Sequence, residues 1–111
     1  MKKYRLEEFK RGWFVGDFTP SLIRTQNVEV AVQHFQAGCE EPEHFHKIAR
    51  ELTIIISGRV EISGTEYCAG DIVDISPGEY ALFRALESTT TVVVKYPGAK
   101  NDKFLKENTP D

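Results

Sequence analysis

Three observations in this chain predict an all-β fold. From Val28 to Tyr96, short apolar alternations recur between glycine, proline and serine, the rhythm of many short strands rather than of helices. β-Branched residues concentrate inside those alternations, as in Val28-Glu-Val-Ala-Val32 and Thr91-Val-Val-Val-Lys95, where branching at Cβ suits a pleated surface. A length of 111 residues, 41% apolar and 28% charged, supplies one hydrophobic core and leaves no room for a second domain. These features fit a small antiparallel sandwich or barrel in which alternation separates inside from outside.

The elements follow in order. Leu6-Glu-Glu-Phe9 reads as a helical turn, and Trp13, Phe14, Val15 and Phe18 carry enough aromatic surface to pack an extra strand on a barrel face. Residues 1–27 are therefore an N-terminal segment, and 28–96 the barrel. In the first barrel strand Val28, Val30, Val32 and His34 share one face, with Glu29, Ala31, Gln33 and Phe35 on the other. The valine face is a candidate for the interior, which makes His34 either a donor to a bound molecule or a hydrogen-bonded core histidine. Strands follow at 44–46, 51–56 and 60–62, the last after the turn Ser57-Gly58, and Ser63-Gly64 turns the chain again. Tyr67-Cys68 leads through Gly70-Asp71 into 72–75, which Ser76-Pro77-Gly78-Glu79 closes. The last strands are 81–86 and 91–96. Residues 97–111 are mostly polar and read as a mobile tail with Phe104 and Leu105 as its anchors.

The segment from Gly38 to Gly58 carries the most specific chemistry. Alternation aims His44 and His46 the same way, with Phe45 opposed. If the chain bends between Lys47 and Arg50 and re-enters the sheet, Glu51 returns to the point where both imidazoles aim. Two nitrogens and a carboxylate then form a face with open coordination positions.

This pattern resembles the first signature of the cupin superfamily: Gly38, five residues, His44, one residue, His46, four residues, Glu51, six residues, Gly58. The second signature aligns without a gap from Gly70 through Gly78 to Ala81, with Ser76 in place of the family's proline and Ala81 in place of its histidine, the usual fourth ligand. The resemblance implies a jelly-roll barrel, or double-stranded β-helix, around a divalent Fe, Mn, Ni or Zn ion held by His44, His46 and Glu51. In small cupins an N-terminal strand often completes a dimer, so a homodimer is expected.

With Ala81 offering no donor, water or another side chain fills the fourth position. Glu79 has the right parity to substitute, whereas Tyr80 points the other way and reads as an aromatic closing one barrel end. Thr53 and Ile55 share the face of Glu51, and Phe83 and Ala85 that of Ala81, giving a largely apolar pocket for a small molecule. Arg59 and Arg84 then point outward. Glu40, Glu41 and Glu43 read as a solvated acidic loop.

A net charge of −3 and scattered basic residues exclude a general nucleic-acid surface. No apolar run is long enough for a secretory leader or a membrane span, so a cytoplasmic protein is expected. Cys39 and Cys68 form neither a CxxC pair nor a zinc site and read as reduced thiols, Cys39 as a small buried side chain. No Gly-x-Ser-x-Gly elbow or phosphate loop occurs. The functional expectations are a metal-dependent oxygenase or isomerase, a non-enzymatic module binding a sugar or carboxylate, and, last, a dimeric scaffold with a filled barrel.

Overall fold

The computed structural model describes residues 1–106. Its strands are β1 (Trp13–Val15), β2 (Glu29–Phe35), β3 (His44–His46), β4 (Arg50–Ser57), β5 (Arg59–Ile62), β6 (Thr65–Cys68), β7 (Ile72–Ile75), β8 (Phe83–Ala85), β9 (Thr89–Tyr96) and β10 (Lys103–Leu105). Short 3₁₀ turns at Leu6–Glu8 and Lys10–Gly12 precede β1. Among the described residues no helix is long and apolar enough to cross a membrane.

One wall of the jelly roll is a five-stranded antiparallel sheet in the order β1-β2-β9-β4-β7. The facing wall consists of the sheet β6-β5-β8 and the pair β10-β3, linked through bridges between Glu40 and Arg84 and between His44 and Ala81. In β9 the alternation is clean: Thr89, Thr91 and Val93 are buried, whereas Thr90, Val92 and Val94 lie on the outer side. Ile55, Val60 and Ala85 lose all solvent contact between the walls, and full burial of an aliphatic side chain such as Ile55 is worth about 2 kcal/mol. Phe35 and Phe83 join the walls with ring centroids 4.6 Å apart. At the β4–β5 turn Gly58 has φ +88°, and a Cβ there would lie 2.3 Å from the Ser88 carbonyl oxygen, so only glycine fits.

Two expectations are corrected here. The interior face of β2 is the one carrying Ala31 and Phe35, with Glu29 and Gln33 in the cavity; His34 is exposed, its Nδ1 2.8 Å from Thr90 Oγ1. Alternation failed because the outer face of this sheet is also apolar. There Val30 and Val32 pair with Val94 and Val92, which in turn pair with Leu52 and Ile54.

The second correction concerns the expected tail. Lys103, Phe104 and Leu105 pair in register with His46, Phe45 and His44. Phe104 stacks on Phe45 at 5.4 Å, and Lys47 Nζ sits 4.3 Å from the Phe104 ring centroid. The remaining positions of that tail, 107–111, lie outside the described residues.

Candidate metal centre

Strand β3 delivers both histidines to the interior: His44 is 9% and His46 4% exposed, whereas Phe45 lies on the opposite side against Tyr80 and Phe104. Glu51 enters from the start of β4 after the bend at residues 47–49. One donor atom from each of the three residues lies within 4.8 Å of the other two.

Second-layer contacts fix each donor. His44 Nδ1 is 3.1 Å from the Pro42 carbonyl and His46 Nδ1 is 2.9 Å from the Asp102 carbonyl. A carbonyl oxygen only accepts, so each Nδ1 donates, and in a neutral ring the lone pair is on Nε2. Thr53 Oγ1 donates to Glu51 Oε2 at 3.2 Å and so turns Oε1 toward His46 Nε2, 3.3 Å away. With His46 neutral, that contact sets two acceptors against each other. A proton or a cation reconciles them, and the donor set therefore fits a divalent ion.

Asp102 was invisible to sequence reasoning. Its carboxylate, 5% exposed, accepts backbone N–H groups of Lys47, Ile48 and Ala49 and thereby sets the bend that brings Glu51 back to the histidines. Nothing in a lone Asp within the polar stretch 97–111 signals this role; the run of N–H groups it caps is formed only in the fold.

Burial pulls the His44 imidazole below its ordinary 6.5, favouring the neutral, ligating form. For Glu51 burial acts upward but is outweighed by the adjacent His46 imidazole and the charge of Lys95, so its carboxyl lies below 4.5. Burial also draws the Lys95 ammonium below 10.5, against the raising pull of Glu51 and Glu29.

The donors open into a cavity of about 1140 Å³. Phe35, Phe83, Ile62, Ile75, Val93 and Ala81 supply its apolar lining. Thr53 is in that lining too, and Thr91 Oγ1, also on the cavity wall, is buried with no hydrogen-bond partner among the described residues. Ala81 exchanges backbone hydrogen bonds with His44 across the barrel, but its methyl group offers the centre no donor.

The proposed substitutes do not reach the centre. Glu79 is exposed and its carboxylate accepts the Ser76 N–H, closing the turn at 76–79. The Tyr80 ring packs outside on Phe45, 4.8 Å between centroids, with Lys106 Nζ 5.6 Å from it. The turn at Pro77-Gly78 breaks the parity on which Glu79 depended. His34 lies on the outer side of β2, away from this cavity. The acidic loop is tied down rather than free: Glu41 pairs with Lys103 and Glu43 with Lys106. Both cysteines are free and exposed, Cys39 included.

No family model and no curated protein matches the chain. Solved structures do. An uncharacterised protein with a double-stranded β-helix domain from Klebsiella pneumoniae superposes with TM-score 0.72 at 24% identity, covering 96% of this chain and 93% of its own. An RmlC-like cupin from Shewanella frigidimarina gives TM-score 0.61 at 18% identity over 70% of this chain and 72% of its own. A DMSP lyase from Ruegeria pomeroyi gives 0.72 at 17% identity over 89% of this chain, which spans about half of that protein, 52%. With two facing antiparallel walls around an inward His-x-His pair, and with these neighbours, the chain has the double-stranded β-helix fold that cupins share.

Proposed function

We propose that the protein binds a divalent ion through His44, His46 and Glu51 and receives a small polar ligand in the cavity beside it. The observation carrying this reading is the 3.3 Å approach of Glu51 Oε1 to His46 Nε2, on a ring whose Nδ1 already donates to a carbonyl. Such an ion supplies Lewis acidity, or with iron a site for dioxygen chemistry, at positions the three protein ligands leave open. The chain's own part is to hold the imidazoles in the ligating tautomer through Pro42 and Asp102, to aim the carboxylate through Thr53, and to exclude water with Phe35, Phe83 and Ile62. An oxygenase or an isomerase is the class of enzyme this supports. A binding module without turnover is the alternative, favoured by the missing donor at Ala81.

The expected partner is a second copy of the chain, seated on the apolar outer face around Leu52, Ile54, Val92 and Val94. A cytoplasmic location accords with the two free thiols, Cys39 and Cys68.

Elemental analysis of untagged protein is the test. Near-stoichiometric metal in the wild type, lost in His44→Ala/His46→Ala, supports the reading. Wild type that stays metal-free after incubation with ferrous, manganous, nickel and zinc ions overturns it. Turnover then separates enzyme from binding module.

A further inference from the structure

Among the described residues, Lys95 is the half-buried cavity cation that makes no ion pair. Lys95 faces inward from β9, in register with Glu51 on one side and Glu29 on the other, so its Cβ lies about 5 Å from theirs. Its ammonium nevertheless turns to neither carboxylate: it sits 4.8 Å from the Trp13 ring centroid, and none of the ion pairs among the described residues includes it. The neighbouring acids are committed elsewhere. Glu51 Oε1 and Oε2 meet His46 and Thr53, and Glu29 Oε2 accepts the Ala99 N–H.

The cavity's other cations divide sharply. Arg24 and Lys100 pair with Asp17, and Lys103 pairs with Glu41. Lys10 and Arg11, which also line the cavity, belong to no ion pair among the described residues. A divalent ion on Glu51 would leave the row Glu29, Lys95, Glu51 and ion with excess positive charge. A half-buried ammonium that makes no ion pair with the carboxylates around it is costly until an anion meets it.

We propose that Lys95, backed by the Trp13 ring, is the carboxylate seat of this cavity, and that the ligand is a small organic acid with a metal-chelating end and a second, distal carboxylate. This deepens the proposed function and rests on it for the chelated end alone. A single ammonium matches one singly charged carboxylate; a phosphate dianion calls for several converging donors. Lys10 and Arg11 are exposed residues of the same cavity lining, and their charge draws anions inward. Lys95 acts here as a positioning and specificity residue.

Trp13 is the only tryptophan in the chain, so its fluorescence reports on this seat directly. Malate, oxaloacetate and 2-oxoglutarate, titrated against lactate and pyruvate, vary the distal carboxylate while keeping a chelating end. With metal-loaded wild type, at least one diacid should bind about tenfold more tightly than the monoacids and change the Trp13 emission. Lys95→Met should bring that preference within about twofold, and Lys95→Arg should keep most of it. Metal content and melting cooperativity, measured on the same samples, should hold in both variants. The seat is overturned if wild type shows no diacid preference, or if Lys95→Met retains it. Failure of the metal reading appears separately, as wild type that loads no ion; the same titration on that metal-free protein still tests the seat, because a diacid response that depends on Lys95 supports it and its absence refutes it.

Discussion

Asp102 and His46, 56 positions apart, are joined by the Asp102 carbonyl oxygen and His46 Nδ1 at 2.9 Å, while the Asp102 carboxylate caps the three N–H groups that follow His46. One residue of the last described loop thus orients a ligand and shapes the bend leading to Glu51. Removing the carboxylate strands buried donors, each costing on the order of 1–3 kcal/mol.

Asp102→Ala should therefore destabilise the protein by about 3 kcal/mol in denaturant titration and weaken metal binding by about 10- to 100-fold. Asp102→Asn, which keeps one acceptor oxygen, should fall between. Unchanged metal affinity in Asp102→Ala would deny the residue its positioning role.

The ion should stabilise the fold, because its donors converge only there. At a free metal concentration about 100 times Kd the gain is about 2.7 kcal/mol, read as a rise in Tm that chelator reverses. Glu51→Gln should lose most of that gain while its metal-free melt stays cooperative.

Ala81→His should add a fourth donor from the strand segment that bridges His44. Tighter metal retention by at least about tenfold is expected, together with fewer open positions, which weakens ligand binding. Competition against a calibrated chelator measures the first effect.

Acid should destabilise the metal-free protein. The folded pKa values of His44 and Glu51 both lie below their ordinary 6.5 and 4.5, so the unfolded chain binds more protons in each window. The stability that these groups contribute is complete above about 6.5 and is lost, first through His44 and then through Glu51, as pH falls through their folded values. Denaturant midpoints of chelator-treated protein between pH 7.5 and 4 check the sign.

Val94 lies between Val30 and Leu52 on the outer face. Val94→Glu should shift the protein to a monomer in light scattering and leave its metal content unchanged. A wild type that is already monomeric would reject the proposed self-association.

Much of this barrel was legible because the signals were local. His44, His46 and Glu51 announce themselves through strand parity and spacing, and the strands from 29 to 96 through β-branched alternation and turn residues. What escaped was decided by partners distant in sequence. His34 was placed inside because Val28, Val30 and Val32 look like a core face, yet β9 and β4 supply an equally apolar exterior. Lys103–Leu105 looked like a tail because three residues carry no periodicity; only the facing Phe45 makes them a strand. Lys95 drew no attention, since a lysine ending a valine run ordinarily reaches solvent, and here the Trp13 ring holds its head indoors.

The placement of β9 between β2 and β4 has a consequence for handling the molecule. Until Thr89–Tyr96 inserts, the two strands that it later separates both present unpaired, valine- and isoleucine-rich edges, and such edges template association between chains. Variants that loosen this central strand should therefore precipitate during expression or refolding before they show any defect in chemistry, and yield of dispersed material is the first property to watch when this barrel is altered.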